Sequence, residues 1–338
     1  MNLSGKYGTK RQCLLCPHFC KLKEGQSGIC GVRRNTGSNI ELTTYGVLSG
    51  YALDPIEKKP LYHFYPGTGI LSVGSFGCNM RCDFCQNYTI SQYSPPGSFS
   101  VTEPAKIIKD AQTSANNIGI AFTYNEPSIM FEYVRDVSIP ARKKGLLTVM
   151  VSNGYINPEP LKELISFTDA FNVDLKAFNN DFYRKLTGAE LAPVLNTLKQ
   201  IARSGKHLEI TTLIIPGYND KISEMEAEAE WIAGELGRNV PLHLSRYYPM
   251  YKRNEPVTPK ATIDSLVTAA SKHLQYVYSG NINSETGANT YCPGCGNCVT
   301  TRSGYSIKTH GLDSYGKCLN CGTSVYRHFI YKPSTRRD

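Results

Sequence analysis

The segment "GCNMRCDFCQN", Gly77 to Asn87, places three cysteines, Cys78, Cys82 and Cys85, within eight residues. A structural zinc site closes its tetrahedron with four protein ligands, and an electron-transfer cubane cluster normally takes four cysteines. A C-x3-C-x2-C loop supplies three thiolates, so it leaves one iron of a cluster open to a substrate or cosubstrate. Two alternatives stay open: a zinc ion whose ligand set is completed by His63 or a remote cysteine, and three cysteines that only pack.

The twelve cysteines of the 338-residue chain divide it into three parts, because none lies between Cys85 and Cys292. That stretch of about two hundred residues is expected to be the catalytic scaffold, with a metal-binding module at each end. We predict an N-terminal Cys-rich module over residues 1–60, a central barrel over 61–285 and a zinc-ribbon-like module over 286–338.

Short apolar runs alternate with helical patterns through and just before this stretch, which is typical of βα units and a parallel sheet. The predicted strands cover residues 69–74, 118–124, 146–152, 170–176, 208–215, 241–247 and 276–279. Thr258 and Pro259 are expected to cap and begin one of the helices. About six units in roughly 210 residues indicate an α/β fold, a partial (β/α)6 TIM-like barrel, rather than the eight units of a complete barrel.

Unusual polar residues follow the predicted strands, at the end where barrel enzymes place their active sites. Each motif is weak on its own, since Asn-Gly and Pro-Gly are ordinary turn sequences, but six of them converge on one rim. They are Cys78, "TYNEP" (123–127), "SNGY" (152–155), "DLK" (174–176), "PGYND" (216–220) and "HLSRYYP" (243–249).

Composition narrows the class and the compartment. The longest apolar runs are far shorter than the ~20 residues that span a bilayer, and Met1 to Arg11 is polar and basic without the apolar core of a secretory signal. We therefore expect a soluble cytoplasmic protein whose cysteines bind metal rather than form disulfides. The net charge of +9 comes from scattered basic residues, so a nucleic-acid partner stays open without being indicated.

Cys78, Cys82 and Cys85, with Phe84 before the last of them, resemble the signature loop of the radical S-adenosylmethionine (radical SAM) superfamily. The resemblance implies a [4Fe-4S] cluster whose open iron chelates the amino and carboxylate groups of S-adenosylmethionine. It also implies one-electron cleavage of that cosubstrate to a 5′-deoxyadenosyl radical, which abstracts hydrogen.

The resemblance extends to cofactor-binding residues on the same rim. Glu126 matches the acidic residue that accepts hydrogen bonds from the methionine amino group, and Phe84 matches the position that contacts adenine. Ser152 and Asn153 are implied to contact ribose or carboxylate. Three further residues are implied to lie near the cosubstrate, as in pyruvate formate-lyase activating enzymes: Asp174, Lys176 and His243.

Longer matches cover nearly the full chain, so it is identified as a member of the radical SAM family of the AmmeMemoRadiSam system, which is related to pyruvate formate-lyase activating enzymes. This implies association with AMMECR- and Memo-family proteins and a reductant such as flavodoxin or ferredoxin. Two departures are Val151, where the activating enzymes have an Asp of a cation site, and Thr211, where they have an Arg; neither feature is expected here. The matching segments are "CLLCPHFCKLKEGQSGICGVR" (13–33), "DPIEKKPLYHFYPG" (54–67), "CQNYTISQ" (85–92), "YVYSGNI" (276–282) and "CPGCG" (292–296).

The flanking cysteines indicate two more metal sites. The pattern C-x2-C…C-x2-C, each pair followed by glycine, predicts a zinc ribbon built from Cys292, Cys295, Cys318 and Cys321. The competing interpretation takes Cys298 as the third cysteine of a ferredoxin-like run that starts at Cys292. The N-terminal group fits zinc or iron-sulfur, with His18 as a possible substitute ligand; it consists of Cys13, Cys16, Cys20 and Cys30.

The leading functional hypothesis is a radical enzyme that acts on a protein or another sizeable substrate, since an open rim and a ribbon suit a macromolecule. An RNA-modifying radical SAM enzyme is one alternative, which salt-sensitive RNA binding would support. The other is a non-catalytic iron-sulfur or zinc adaptor, or an electron-transfer protein, which would leave S-adenosylmethionine intact.

Overall fold

The computed structural model describes residues 3–92, 100–282 and 287–332. Two small antiparallel sheets precede the central one. The first contains β1 (Ser4–Tyr7), β2 (Lys10–Cys13) and β3 (Lys21–Leu22), and the second contains β4 (Arg33–Asn35) and β5 (Ile40–Leu42).

The central sheet has eight strands, and their order in the sheet is their order in the chain. Seven strands are parallel, whereas the first pairs antiparallel with its neighbour at one edge. The strands are β6 (Gly50–Pro55), β7 (Gly69–Gly74), β8 (Asn117–Phe122), β9 (Leu147–Ser152), β10 (Ala170–Asp174), β11 (His207–Ile214), β12 (Leu242–Arg246) and β13 (Val277–Gly280).

Helices connect the consecutive parallel strands. They are α1 (Tyr88–Ser91), α2 (Pro104–Thr113), α3 (Phe131–Lys143), α4 (Pro158–Phe167), α5 (Asn180–Phe182), α6 (Leu191–Arg203), α7 (Ile222–Glu235) and α8 (Lys260–Ala270). Six βα units followed by β13 confirm the predicted partial (β/α)6 barrel. The expected cap at Thr258 was wrong: α8 begins at Lys260 with Pro259 as its N-cap, and the Thr258 hydroxyl donates to the Ile214 carbonyl instead.

The central strands are buried on both faces, as expected where helices cover a parallel sheet. In β8, five of the six residues are buried. The N-terminal sheets share this core, because Leu22 of β3 and Ile40 of β5 belong to the same apolar cluster as Val73 of β7.

The C-terminal residues form a third small antiparallel sheet of β14 (Thr290–Tyr291), β15 (Cys298–Ser303) and β16 (Ser306–Thr309). Val299 of β15 and Tyr326, which follows the sheet in the chain, belong to one apolar cluster with Tyr276 and with Tyr278 of β13. Among the described residues, no helix is long and apolar enough to cross a membrane.

The three-part division of the chain stays a prediction. Strand β6, which was placed within residues 1–60, is hydrogen-bonded to β7 of the central sheet along its whole length. The boundary between residues 285 and 286 lies outside the described ranges.

Candidate active site

A cavity of about 470 Å³ opens at the carboxyl ends of the parallel strands. Residues that end or follow β7 to β12 line it together, so the sheet curves around this space as a barrel sheet does. The lining includes eight of the residues predicted from the sequence: Cys78, Cys82, Phe84, Cys85, Glu126, Asn153, Asp174 and Lys176.

The loop that carries the three cysteines is fixed at both ends. It begins at Gly77, whose φ is +82°, and a Cβ added there would lie 2.5 Å from the carbonyl oxygen of Cys30. Glycine is therefore required by conformation and by space. Further along, the amide of Arg81 donates to the carbonyl of Thr187 (2.7 Å) and that of Asp83 to Leu186 (3.1 Å), which holds the loop over the barrel mouth.

Burial of the cysteine side chains disfavours free thiolates, so these residues suit metal-bound thiolates better. Burial raises the pKa of Cys78 well above its ordinary value and that of Cys82 to about 12, because an apolar environment disfavours the charged form. Bound cations would reverse that preference. Two groups already face the Cys78 sulfur, the amide of Met80 at 3.4 Å and the Asn153 side-chain amide at 3.6 Å. The three residues thus suit a cluster that needs thiolates.

The suggested zinc ligand His63 is engaged elsewhere. Its Nε2 lies 2.6 Å from the Tyr278 hydroxyl and its Nδ1 lies 3.3 Å from the Val325 carbonyl. It does not line the cavity that contains the three cysteines. His63 is therefore not placed where it could complete a zinc site with the three cysteines.

Glu126 joins the ends of two strands from a buried position. Its carboxylate accepts hydrogen bonds from the amides of Ser128 (2.9 Å) and Asn153 (2.7 Å) and from the Ser152 hydroxyl (2.8 Å). Burial raises the pKa of Glu126, and these donors oppose that rise. A carboxylate has about four acceptor positions, so one remains for a donor inside the cavity. Glu126 can therefore hold a ligand ammonium group.

Asp174 and Lys176 form an ion pair in the wall of the same cavity, with Nζ and Oδ2 2.6 Å apart. Burial lowers the pKa of Lys176, but the charges of Asp174 and Cys82 outweigh it and raise the pKa overall. The amide of Lys176 also donates a hydrogen bond to the Tyr183 hydroxyl oxygen at 3.0 Å. A fixed cation beside Cys82 suits an anionic group of a ligand.

Two predicted cofactor residues do not line this cavity. Ser152 lies behind the cavity, and its hydroxyl donates a hydrogen bond to the Glu126 carboxylate. His243 lines a neighbouring cavity, where its Nε2 lies 2.6 Å from the buried carboxylate of Glu209. Phe84 does line the cavity, with its ring centroid 5.8 Å from that of Phe182.

A polar wall formed by the "DPIEKKP" segment, residues 54–60, was not predicted from the sequence. Lys59 is almost fully buried and pairs with Asp54 at 2.9 Å, while Asp54 also accepts from the Tyr124 hydroxyl at 2.6 Å. Lys58, Lys59 and Tyr124 all line the cavity. The signal was the acid with two lysines four and five residues later, in a segment noted only for its resemblance to the family.

A second cavity of about 860 Å³ adjoins the first. It lies between the barrel and the C-terminal sheet, and the two share five lining residues: Lys58, Pro60, Ser245, Asn281 and Tyr305. Within the described ranges, three buried polar atoms of its lining have no hydrogen-bond partner, namely Glu57 Oε2, Ser279 Oγ and Arg302 Nε. Such atoms are costly unless a ligand satisfies them.

The C-terminal cysteines converge as predicted. The donor atoms of Cys292, Cys295, Cys318 and Cys321 all lie within 4.8 Å of one another, so this cluster can bind a metal ion. The competing use of Cys298 was wrong, because that residue lies outside the cluster and its sulfur faces the Thr300 carbonyl at 3.7 Å. The N-terminal cysteines and His18 line a separate small cavity.

Comparison with known proteins agrees with this geometry. The family model of the radical SAM superfamily matches residues 72–232. Uncharacterized protein MJ0808 of Methanocaldococcus jannaschii is 43% identical over 321 residues, which cover 94% of this chain and 95% of that protein.

Two more distant similarities concern the barrel. The pyruvate formate-lyase 1-activating enzyme of Escherichia coli K12 is 26% identical over 194 residues, 55% of this chain and 77% of that enzyme. Among solved structures, Streptococcus suis SuiB bound to S-adenosylmethionine superimposes with a TM-score of 0.51 at 11% identity, covering 67% of this chain and 53% of SuiB. The latter similarity concerns the fold alone.

Proposed function

Because this chain belongs to the radical SAM superfamily, we propose that it cleaves S-adenosylmethionine reductively at a [4Fe-4S] cluster bound by Cys78, Cys82 and Cys85. The observation that carries the proposal is the single cavity that these cysteines share with Glu126 and the Asp174–Lys176 pair. When bound, the cluster supplies one electron to the sulfonium, which yields methionine and a 5′-deoxyadenosyl radical for hydrogen abstraction.

The protein's own side chains would bind and orient the cosubstrate. Glu126 offers its remaining acceptor position to the methionine ammonium, and Ser152 orients Glu126 from behind. Lys176 faces the carboxylate as the fixed cation of that wall. Phe84 contacts the adenine, and Asn153 supports both the Cys78 sulfur and the Glu126 carboxylate. The contact of His243 with the adenosyl group stays a prediction, since its ring is hydrogen-bonded to Glu209.

We further propose that the substrate is a protein segment that reaches the first cavity through the second. The adjoining cavity is larger than the first and falls in the size range of sites for substantial ligands. Its unpartnered atoms include both acceptors and donors, which suits the amide groups of a polypeptide.

Membership of the AmmeMemoRadiSam system follows from the resemblance of the flanking motifs and belongs to the same proposal. Its partners would be AMMECR- and Memo-family proteins in the cytoplasm, with flavodoxin or ferredoxin as the one-electron donor. The C-terminal ion would be Zn²⁺, because four thiolates at tetrahedral spacing are the usual ligands of structural zinc.

The cleavage step is tested anaerobically. We expect protein reconstituted with iron and sulfide, reduced with dithionite and given S-adenosylmethionine to release 5′-deoxyadenosine, and the C78A/C82A/C85A variant to release none. A wild type that holds iron yet leaves the cosubstrate intact with several reductants would favour the adaptor or electron-transfer alternative.

The substrate class is tested by isotope transfer. Perdeuterated AMMECR- or Memo-family protein is added to the same reaction, and we expect deuterium in the 5′-deoxyadenosine recovered. Unlabelled protein serves as the control. Transfer from deuterated cellular RNA, with none from either protein, would overturn the protein assignment in favour of RNA modification.

A further inference from the structure

The four N-terminal cysteines face one small enclosed cavity. Cys13 ends β2, Cys16 and Cys20 lie in the loop that follows, and Cys30 precedes β4. All four line the cavity together with Arg33 and Ile129, and three of the thiols are buried. Residues separated by up to seventeen positions thus converge without any disulfide among them.

Backbone donors already point at these sulfurs. Hydrogen bonds from the main chain reach Cys13 from Leu15, Cys16 from His18 and Cys30 from Val32. Hydrogen bonds to ligand sulfurs are a regular feature of iron-sulfur sites and tune their potentials.

An unsatisfied buried cation supplies an independent observation. Arg33 is 1% exposed and lines the cavity. Its two terminal nitrogens bond Glu132 and the Ile129 carbonyl, but Nε has no partner within the described parts of the chain. A buried guanidinium donor left unpaired costs roughly 1–3 kcal/mol or more, so an anionic metal-thiolate group beside it would complete the site.

The distances between cysteine sulfur atoms distinguish a zinc site from an iron-sulfur cluster. In the C-terminal cluster, Sγ atoms lie 3.4 Å (Cys292 and Cys321) and 3.7 Å (Cys295 and Cys318) apart, close to the ~3.8 Å that Zn–S bonds of about 2.3 Å require. Within the described ranges, no other three such donors lie within 4.8 Å of one another. The N-terminal four instead surround an open space that they all line, as Cys78, Cys82 and Cys85 line the larger cavity. A cubane needs such a space between its ligands, because it attaches each thiolate to a different iron.

We propose that Cys13, Cys16, Cys20 and Cys30 hold a second iron-sulfur cluster, of the four-cysteine cubane type, rather than zinc. This goes beyond the proposed function, since it requires no cleavage of S-adenosylmethionine.

The second cluster would lie next to the first. Contact of the Cys30 carbonyl with Gly77 brings the Cα atoms of Cys30 and Cys78 within roughly 10 Å of each other, given standard backbone dimensions. His18 adds a link between the two loops through its Nε2, 2.7 Å from the Asn79 carbonyl oxygen. An electron from a one-electron donor protein can thus pass between the two clusters.

The experiment measures metals in the full chain. Wild type and the C78A/C82A/C85A variant are reconstituted anaerobically with iron and sulfide, and iron, sulfide and zinc are quantified per chain. We expect about eight irons and one zinc in the wild type and about four irons in the variant. The variant's reduced cluster should give an electron paramagnetic resonance signal that S-adenosylmethionine does not change. A variant with no iron and two zinc ions would overturn the inference.

The C78A/C82A/C85A variant keeps all four N-terminal cysteines. Its iron content therefore does not depend on any change to the residues around the proposed second cluster. As the matched control, C16S/C20S should lose about four irons while its remaining signal still responds to S-adenosylmethionine. A wild type with about four irons and two zinc ions that releases 5′-deoxyadenosine would refute this inference and leave the proposed function standing. About eight irons without cleavage would do the reverse.

Discussion

Glu126 carries the clearest single-residue prediction. We expect Glu126→Gln to weaken S-adenosylmethionine binding roughly 10- to 100-fold, because a hydrogen bond to a charged group contributes about 1.5–3 kcal/mol. Isothermal titration of the anaerobic, reconstituted protein measures the dissociation constant.

The matched control for this variant is Glu228→Gln. Glu228 is equally buried but bonds the Thr212 hydroxyl, at 2.6 Å, away from the cavity. Equal losses of affinity in the two variants would show that Glu126 has no direct role in binding.

Glu228 also gives a prediction about pH. Burial raises its pKa from 4.5 to about 8, so between these values the folded protein binds more protons than the unfolded chain. Stability contributed by this group is therefore lost as pH rises through that window, up to roughly 5 kcal/mol. We expect Glu228→Gln to gain thermal stability relative to wild type as pH goes from 5 to 9. A difference in melting temperature that stays constant with pH would contradict this.

His243 illustrates which features of a site can be predicted from residue patterns and which cannot. Its place on the sixth strand was predictable from the sequence, but it is the second residue of β12 rather than a residue at the carboxyl end, and its side chain faces the second cavity. The partner that takes its ring was not predictable, because Glu209 lies on another strand and looks like one polar residue in an apolar run. Glu209 accepts four hydrogen bonds, from two backbone amides and two histidines, at full burial.

At the scale of elements, Gly77 allows the cysteine loop to approach the carbonyl of Cys30 closely. We expect Gly77→Ala to lower the free energy of unfolding by roughly 2–4 kcal/mol, because it adds a clash with the Cys30 carbonyl to an unfavourable φ. Gly205→Ala is the control, since Gly205 has φ +72° but nothing within 4 Å of an added Cβ, and should lose only about 1 kcal/mol. Equal losses in urea denaturation would mean that the contact with Cys30 is unimportant.

The parallel strands were predictable to within two residues at most ends, because buried strands between helices leave continuous apolar runs. Strand β6 was missed for the opposite reason. Its first four residues are exposed, and it is fixed by backbone pairing with β7, which leaves no pattern in the sequence. The predicted helix cap at Thr258 was wrong for a related reason. Its hydroxyl makes tertiary hydrogen bonds instead, donating to the Ile214 carbonyl and accepting from the Tyr247 amide.

At the scale of the whole molecule, Arg302 joins the C-terminal sheet to the barrel side of the cleft. Its guanidinium donates to Thr290 Oγ1 (2.8 Å) and to the Tyr62 carbonyl (3.0 Å), and it lies over the Tyr62 ring. Arg302→Met should cost about 3 kcal/mol or more, because buried partners lose a charged donor.

We expect the Arg302→Met variant to show faster hydrogen exchange in residues 298–309 and around Tyr62. Exchange in the core strands should be unchanged. Arg142→Met is the control, since Arg142 is a partly exposed arginine on α3. Uniformly faster exchange across the barrel would contradict a local role for Arg302.

The order of strands in the sheet has a consequence for synthesis on the ribosome. Each parallel strand pairs with the one made just before it, so the barrel can assemble as the nascent chain emerges. The cysteine loop, however, needs Leu186 and Thr187 for its amides and Lys252 for the Asp83 carbonyl. These backbone hydrogen bonds therefore cannot all form until translation has passed Lys252, so the loop reaches its final position over the barrel mouth only after that point.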